Sequence, residues 1–470
     1  MQNSYRQIIG VLCILFSLEM QAQVSDIDLP VLNISTVNNE MPTCDIVNAP
    51  EGCIGTSITN NNYVPGRMTM TLKDETLYDS GDYEKSVSGM RIKIRGNSTG
   101  AFLNQHPYKI KLSKKYDLLR RNDASYKHKE WLLLSMYVWN PAVTNEESNI
   151  LNMVGVIVSN ILHKEWTPDY QLVNVMLNGE YQGMYYLMEC VSRGDQRIQT
   201  AANGFIIEYD PFWWNEDKYF KTDHQRYPYG YTYKYPDSDD VTEETITEHQ
   251  NYMNDVENAI YSHQDIEKYI DMESFAKWML IHDMLASVDL AGCNKYLVRY
   301  DNSSLLAMGP AWDFDSSFRA EGWCGFHTFN DFYFAELFQM KAFTDIYVNL
   351  WKEIRPTILS RIQEEFDKVW SKYGEVFDAS MAIHKTKYTN EGNTNFKTQI
   401  DEAVNKLNER VSVIDELMQE YEEASNITAT KMGCHFTANT FVDLQGRYTT
   451  TPKNTSIIVT NGKKYVVRKK

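Results

Sequence analysis

The segment Asp289-Leu-Ala-Gly-Cys-Asn294 follows a long apolar stretch, and Trp312-Asp313-Phe314-Asp315 comes after a short predicted hairpin. An Asp five residues before an Asn, followed by a second Asp beside a Phe, is the order of side chains in many phosphoryl-transfer sites. Asp289 is therefore the candidate catalytic base, while Asn294 and Asp313 are candidate ligands of Mg²⁺ or Mn²⁺. On its own the spacing is a weak signal, because a capping Asp and a turn Asn produce it equally well.

Size and charge limit what the chain can do. It has 470 residues, of which 43% are hydrophobic, enough for one large domain or two ordinary ones. Its formal net charge of −17 argues against general nucleic-acid binding, which requires a basic face. The charge does not argue against ATP, because a few local Lys and Arg residues are sufficient to bind phosphates.

Residues 1–22 have the pattern of a secretory signal peptide. Arg6 provides a positive start, residues 8–18 form a short apolar run, and Ala22 is a small residue at the expected cleavage site. The apolar run is too short to span a bilayer, and no later stretch is long and apolar enough. We therefore expect an exported protein, periplasmic, on the cell surface or extracellular, with no transmembrane segment.

The cysteines are compatible with export. Of the seven in the chain, Cys13 lies in the signal segment. Disulfides form outside the cytoplasm, and Cys44 and Cys53 flank a short loop across which they could pair. No Cys-x-x-Cys or Cys/His spacing indicates zinc.

A glycine-bounded turn connects two alternating strands in the β-rich part of the chain. The strand at residues 90–94 leads into Arg95-Gly-Asn-Ser-Thr-Gly100, and a second alternating strand occupies residues 108–112. Glycines let backbone N–H groups approach a phosphate, and a Lys on the returning strand can reach it. A polar hairpin with solvated lysines would show the same pattern. The candidate nucleotide contacts of this region are Arg95, Ser98, and Lys109 or Lys111.

The next segments complete a predicted β-rich lobe over residues 28–190. An apolar stripe predicts a helix over 147–163, and residues 172–188 form a hairpin with Asn178-Gly179 at its turn. Glu189 ends this hairpin, at the position of the hinge in a kinase-like order.

Segment 211–235 contains many aromatic side chains in a short irregular stretch. It is either a contact surface for protein or carbohydrate, or an insertion that packs on its own side chains.

The rest of the chain is mainly helical and ends in a small β-module. We predict a helical lobe over 240–424, in which an apolar helix over 271–288 leads directly to Asp289. Residues 425–470 contain short strands and an Asn461-Gly462 turn. This tail resembles the β-tails that end many exported Bacteroidetes proteins, some of which are sorting signals.

Taken in order, these motifs resemble the spore-coat protein H (CotH) kinase family over roughly residues 28–420. The matching segments are Ile94 to Ser98, Tyr108 to Leu112, Asn178 to Glu189, Tyr235-Pro236-Asp237, Asp289 to Asn294, and Pro310 to Asp315. The resemblance implies an α+β, protein-kinase-like two-lobed fold over 28–424. It also implies transfer of the γ-phosphate of ATP to Ser or Thr hydroxyls of a protein substrate.

Carried onto this chain, the resemblance makes Asp289 the catalytic Asp, and Asn294 and Asp313 the metal ligands. Glu189 would lie at the adenine side of the hinge, and Asp315 is an additional metal candidate. The chain departs from the family at Asn104-Gln-His-Pro107, where relatives usually carry lysines before the tyrosine.

That departure leaves two hypotheses for the function. In the first, Lys109 or Lys111 contacts the phosphates, with Glu146 or Glu147 as a candidate partner, and the protein is an ATP- and Mg²⁺-dependent kinase. In the second, the fold is catalytically weak or inactive and serves as a surface adhesion or scaffold protein.

Overall fold

The structure, a computed structural model, describes most of the chain outside its two ends. The described residues are 22–59, 62–136, 149–162, 164–224, 228–287, 294–318, 328, 332–388 and 395–423, with short strands between 441 and 468. Apart from Ala22, the expected signal peptide lies outside them, as do Asp289, Glu146 and Glu147.

Ten strands dominate the described part of the first half of the chain. The strands are β1 (Val31–Thr36), β2 (Ile46–Asn48), β3 (Thr56–Ile58), β4 (Val64–Leu72), β5 (Glu75–Asp79), β6 (Met90–Ile94), β7 (Tyr108–Tyr116), β8 (His128–Ser135), β9 (Tyr170–Leu177) and β10 (Glu180–Glu189). Helix α1 (Ser98–Phe102) follows β6, and helix α2 (Leu151–Ile161) lies between β8 and β9.

Seven of these strands close into a barrel in the order β1-β9-β10-β8-β7-β6-β4, and β4 pairs back to β1. Strand β1 runs parallel to β9 on one edge and antiparallel to β4 on the other. Strand β5 pairs with β4 outside the ring. The interior is filled by buried apolar side chains, including Trp131, Tyr185 and Leu187, as expected for a barrel of this size.

The predicted protein-kinase-like two-lobed fold is therefore wrong. Its β-rich part, residues 28–190, forms a closed barrel rather than an open-sheet N-terminal lobe, within a mixed α+β chain. Alternating hydrophobicity identifies strands and their inward faces, but it does not show which edges pair. Here the edges of β1 accept both β9 and β4, so the sheet has no open end.

A five-stranded sheet and several helices make up the described part of the second half. The sheet has the order β12-β13-β11-β14-β15 and contains β11 (Phe205–Asp210), β12 (Tyr219–Phe220), β13 (Gly230–Tyr235), β14 (Lys295–Arg299) and β15 (Leu306–Met308). The helices are α3 (Glu243–Ser262), α4 (Met272–Leu285), α5 (Phe334–Leu337), α6 (Lys341–Tyr373), α7 (Phe377–Lys387) and α8 (Phe396–Glu423). Near the C-terminus, β16 (Phe441–Val442) pairs with β17 (Tyr448–Thr449), and β18 (Thr455–Thr460) with β19 (Lys463–Arg468).

The barrel encloses one apolar core and packs its outer face against the helices in a second, larger one. Strand β10 shows how, because successive side chains point to opposite faces. Tyr185 and Leu187 fill the barrel, while Met184, Tyr186 and Met188 belong to the core formed with the helices. Helix α4 lies in this core and is buried almost all round, as its sequence predicts. Asp289 follows the last residue of this helix, Leu285, by four positions in the sequence.

The described helices offer no candidate for a membrane span, since none combines the necessary length and apolarity. The hairpin of β2 and β3 carries Cys44 at its base and Cys53 near its tip, both as free thiols. The possible pairing of these two cysteines is thus absent from the structure.

Candidate functional site

A large cleft lies between the outer face of the barrel and the five-stranded sheet. Its volume is about 1570 Å³. Strands β6, β7 and β8 and the loop before α1 form one wall, and strands β11, β13 and β14 with the segment 312–316 form the other. Both walls are rich in charged side chains, so the cleft is suited to an ionic ligand.

The barrel wall is basic. On β7, Tyr108 and Ile110 point into the barrel, so the alternate residues Lys109 and Lys111 point out into the cleft. Glu130, on the neighbouring strand β8, pairs with both lysines at Nζ–Oε distances of 3.1 and 3.3 Å. These three side chains form a fixed ionic cluster on the wall.

The pKa values of ionisable groups on this wall are shifted because the groups are partly buried and lie close together. Burial opposes ionisation of Glu130, but attraction to Lys109 and Lys111 outweighs it and lowers the pKa of Glu130 to about 2. Burial and the charge of Lys109 lower the pKa of Lys93 to about 8. The wall therefore holds more positive charge than its own carboxylate compensates, and an anion placed here would be stabilised.

The opposite wall is acidic. Glu208 and Asp210 are two residues apart on β11 and both line the cleft. Lys234 pairs with Glu208 at 2.8 Å. Asp210 accepts hydrogen bonds from Thr232 Oγ1 at 3.1 Å and from the N–H of Phe212 at 2.7 Å.

The surroundings of Asp210 in the cleft disfavour ionisation of its carboxyl group. Burial, followed by the charge of Glu208, raises the pKa of Asp210 to about 7, although Lys234 acts in the other direction. A buried carboxylic acid that titrates near neutral pH is common at functional sites.

Asn294 and Asp313 both line this cleft and have unusual backbones. Both have positive φ, 81° for Asn294 and 59° for Asp313, a region in which Asn and Asp are tolerated better than most residues. The N–H of Asn294 donates to Glu208 Oε1 at 3.1 Å. Within the described part of the chain, the buried Nδ2 of Asn294 has no hydrogen-bond partner. A buried amide N–H without a partner is costly, so this group is suited to a hydrogen-bond acceptor on a ligand.

Phe314 anchors the segment that carries Asp313. Its ring is 1% exposed and stacks on His282 of α4 at a centroid distance of 5.9 Å. On its other side lies Gly155 of α2, where an added Cβ would overlap the Phe314 ring. The absence of a side chain at position 155 thus allows the segment to lie against the helix.

Most of the predicted site residues line this one cleft. The structure brings together Arg95, Ser98, Lys109, Lys111, Asn294 and Asp313. Asp315, the additional metal candidate, also lies there. Asp289, the candidate base, is outside the described residues.

Glu189 lies elsewhere. Its side chain is 1% exposed, bonds Arg121 Nη2 at 2.8 Å and accepts from the N–H of Asp169 at 3.0 Å. Strand alternation explains the placement, because the neighbouring residues Met188 and Cys190 face the cleft instead. Any contact of Glu189 with a nucleotide would have to involve its backbone.

In the segment Asn104-Gln-His-Pro107, which departs from the family pattern, Gln105 has a role in the barrel structure. Gln105 is fully buried, where its Nε2 donates to Met184 O and its Oε1 accepts from the N–H of Met136, both at 2.8 Å. Its amide therefore links two barrel strands and does not line the cleft. Two of the lysines that do line the cleft, Lys109 and Lys111, are on the following strand, β7.

The charged residues of the cleft that sequence reasoning missed include Glu130, Glu208, Asp210 and Lys234. A signal existed for two of them, because Glu208 and Asp210 interrupt an otherwise apolar strand at same-face positions. Glu130 could not be paired with Lys109 or Lys111 without knowing that β7 and β8 are neighbours.

The aromatic segment 211–235 packs largely on its own surroundings. Trp213 Nε1 donates to Pro228 O at 2.8 Å, and Trp214 Nε1 donates to Ile54 O at 3.1 Å. The Lys221 ammonium lies 3.6 Å from the centroid of the Trp213 ring. Contacts of this segment with protein or carbohydrate remain a prediction.

The residues present fit a sparse magnesium site. Among the described residues, no group of three or more His, Cys, Asp or Glu side chains forms a metal-binding cluster. Mg²⁺ in phosphate-handling sites typically uses one or two carboxylates and completes its shell with phosphates and water. One carboxylate from Asp313 and the amide oxygen of Asn294 match that requirement.

The first prediction concerns the packing of Gly155 against Phe314. In an open helix Gly→Ala stabilises by about 1 kcal/mol, but here we expect Gly155→Ala to destabilise by about 1–3 kcal/mol because of overpacking. Phe314→Leu should relieve the overlap, so the double variant should lose less than the two single losses combined. Urea unfolding measures this cycle, with the exposed Asn160→Ala on the same helix as control. Additive losses would contradict the packing argument.

The second prediction uses the raised pKa of Asp210. The folded state holds this proton more tightly than the unfolded state, whose pKa is near 3.8. Between pH 4 and 7 the wild type should therefore lose stability as pH rises, by up to about 1.4 kcal/mol per unit from this group. As the pH rises from 5 to 8, the free energy of unfolding of Asp210→Asn should increase relative to that of the wild type, measured in the presence of EDTA. Exposed Asp237→Asn is the control, and a pH-independent difference for Asp210→Asn would refute the assignment.

The comparison with known protein families agrees with this geometry. The family model described as CotH kinase protein matches residues 92–414, well over half of the chain. That range contains Lys93 to Asp315, and so both walls of the cleft. A search of curated proteins finds no match. The matched range and the residues gathered within it lead to one conclusion: the chain belongs to the CotH kinase family.

Proposed function

We propose that the protein transfers the γ-phosphate of ATP to Ser or Thr hydroxyls of a protein substrate, and that it does so after export. The observation that carries the proposal is the composition of the cleft. A wall with Arg95, Lys109 and Lys111 faces the wall with Asn294 and Asp313. Phosphoryl transfer needs cations for the phosphate oxygens and oxygen ligands for Mg²⁺, so both requirements are present in one place.

The barrel wall would bind the triphosphate. Gly96 has φ +88°, and a Cβ there would overlap Thr99 Oγ1, so the loop depends on glycine at this position. Its backbone and the Ser98 hydroxyl line the cleft beside Arg95. Lys109 and Lys111 lie on the next strand and are held by Glu130. A Lys held by a carboxylate is a recurrent device for orienting phosphates.

The floor of the cleft would accept the base of the nucleotide. Leu132, Leu134 and Met188 project into the cleft from β8 and β10. These apolar side chains give a surface against which a purine ring loses contact with water. The volume of about 1570 Å³ is larger than a nucleotide requires, which leaves space for an acceptor hydroxyl.

The acidic wall would hold the metal and the acceptor. When bound, Mg²⁺ neutralises charge on the phosphate oxygens. Asn294 and Asp313 would hold it, and Asp289, which follows α4, would orient the acceptor hydroxyl and take its proton. Lys234 keeps Glu208 in place at 2.8 Å, and Glu208 in turn holds the backbone of Asn294.

The third prediction concerns the metal ligand. Asp313→Ala should abolish Mg²⁺-dependent autophosphorylation, measured with [γ-³²P]ATP, because the remaining amide ligand cannot replace a carboxylate. The fold should persist, as judged by circular dichroism. Exposed Asp255→Ala is the control and should label as the wild type does.

Unchanged labelling of Asp313→Ala would reject its role. Calorimetry separates the enzyme from the scaffold hypothesis. A wild type without Mg²⁺-dependent ATP binding would favour a catalytically inactive surface protein, whereas binding without labelling would indicate that the acceptor protein was missing.

The fourth prediction resolves the choice between the two lysines. The side chain of Lys109 is 25% exposed and that of Lys111 is 37% exposed, so Lys109 lies deeper. We expect Lys109→Met to lower kcat/KM for ATP by more than about 100-fold, and Lys111→Met by about 10-fold or less. Each variant keeps the apolar stem and leaves Glu130 one lysine partner. Equal losses, or a larger loss for Lys111→Met, would reverse the assignment.

A further inference from the structure

The hairpin of β2 and β3 touches both walls of the cleft. It spans Ile46–Ile58 and pairs with neither the barrel ring nor the five-stranded sheet. It also precedes residues 92–414, the part of the chain that matches the family model. The family assignment therefore gives no role for it, and its contacts must be interpreted directly.

The hairpin first contacts the candidate phosphate loop. Ser57 is fully buried, and its hydroxyl donates to Asn97 Oδ1 at 2.7 Å. Asn97 is the residue before α1, but its side chain does not accept a hydrogen bond from the backbone of that helix. Its Oδ1 accepts from the Ser57 hydroxyl instead. Behind this bond, a Cβ on Gly100 would lie 2.8 Å from Ile58 Cδ1, so the loop and the hairpin are closely packed.

The hairpin also contacts the segment leading to the acidic wall. Asn215 Nδ2 donates to Ser57 Oγ at 2.8 Å and to Ile58 O at 3.0 Å. Trp214 Nε1 donates to Ile54 O at 3.1 Å. Glu216, which follows Asn215 in the sequence, lines the cleft.

One hydroxyl thus connects the two sides. A serine hydroxyl has one proton to donate and can accept from another donor, and Ser57 uses both capacities, towards Asn97 and from Asn215. Loss of the buried Ser57 hydroxyl would leave Asn97 Oδ1 without this donor and Asn215 Nδ2 with only Ile58 O, both at half-buried positions. No other serine or threonine of the hairpin makes this connection within the described residues.

We infer that Ser57 is a positioning residue that fixes the loop Arg95–Thr99 relative to segment 212–216 and so sets the width of the cleft at its phosphate end. The inference rests on the proposed function for its consequence, tight binding of Mg²⁺-ATP. The connection itself is a property of the fold and can be tested without nucleotide.

The experiment compares three variants of the full chain. Ser57→Ala removes the hydroxyl, Ser57→Thr keeps it, and Thr56→Ala is the matched control on the same strand. The hydroxyl of Thr56 reaches only the exposed Asn48, at 3.4 Å. Hydrogen–deuterium exchange of residues 95–102 and 212–216, without nucleotide, is the first measurement. We expect exchange in both segments to become about 5- to 10-fold faster in Ser57→Ala and to remain near wild type in Thr56→Ala.

The second measurement is the kinetics with Mg²⁺-ATP. In Ser57→Ala we expect KM for ATP to rise about 10-fold while kcat stays within about 2-fold, because binding geometry changes and the reacting groups do not. Ser57→Thr should restore most of the affinity. A purely structural role would lower the amount of folded protein and leave KM unchanged.

The outcomes separate the two ideas. If the wild type binds no nucleotide, the proposed function fails, and exchange alone decides the role of Ser57. If faster exchange stays within the hairpin, or if Thr56→Ala shows the same change, the connection between the walls is refuted. If exchange changes in both segments while KM is unaltered, the positioning role in nucleotide binding is overturned.

Discussion

The pairing of both edges of β1 is the constraint from which the site follows. A strand of six residues joins β9 on one edge and β4 on the other, and this closes the sheet. In a closed barrel, alternate residues of every strand must face inward, where the apolar set excludes water. The remaining residues of β6, β7 and β8 must face outward. Lys93, Lys109 and Glu130 can therefore lie only on the outer wall, where the cleft is.

The charges of the two walls are arranged as opposites, and each wall is incompletely compensated by itself. The pKa of Lys93 is lowered to about 8 by burial and by neighbouring cations, and the pKa of Asp210 is raised to about 7 by burial and by Glu208. Both shifts oppose charging of the group. An anion against the first wall and a cation against the second would oppose both shifts. The electrostatics of the cleft are thus suited to a ligand that carries both charges, as the Mg²⁺-ATP of the proposed function does.

Local pattern was sufficient to find most candidate site residues and insufficient to find the architecture. Arg95, Asn294 and Asp313 follow from short motifs, since turns and strand ends are encoded by neighbouring residues. The closed barrel could not be predicted, because strand pairing joins residues far apart in sequence, as Val31 joins Asn174. The side chain of Glu189 lies away from the cleft for a related reason: a shift of one residue along a strand moves a side chain to the opposite face.

The precision of the site comes from places where the fold overrides local preference. Asn294 and Asp313 adopt positive φ, and Phe314 is held between α4 and the Cβ-free surface of Gly155. Such backbones cost energy and persist only where packing enforces them. The barrel ring requires β1 and β4, and the hairpin with Ser57 lies between these two strands in the sequence, all before residue 92, where the family match begins. The matched range therefore contains the residues that line the cleft, whereas part of the frame that supports them lies outside the match.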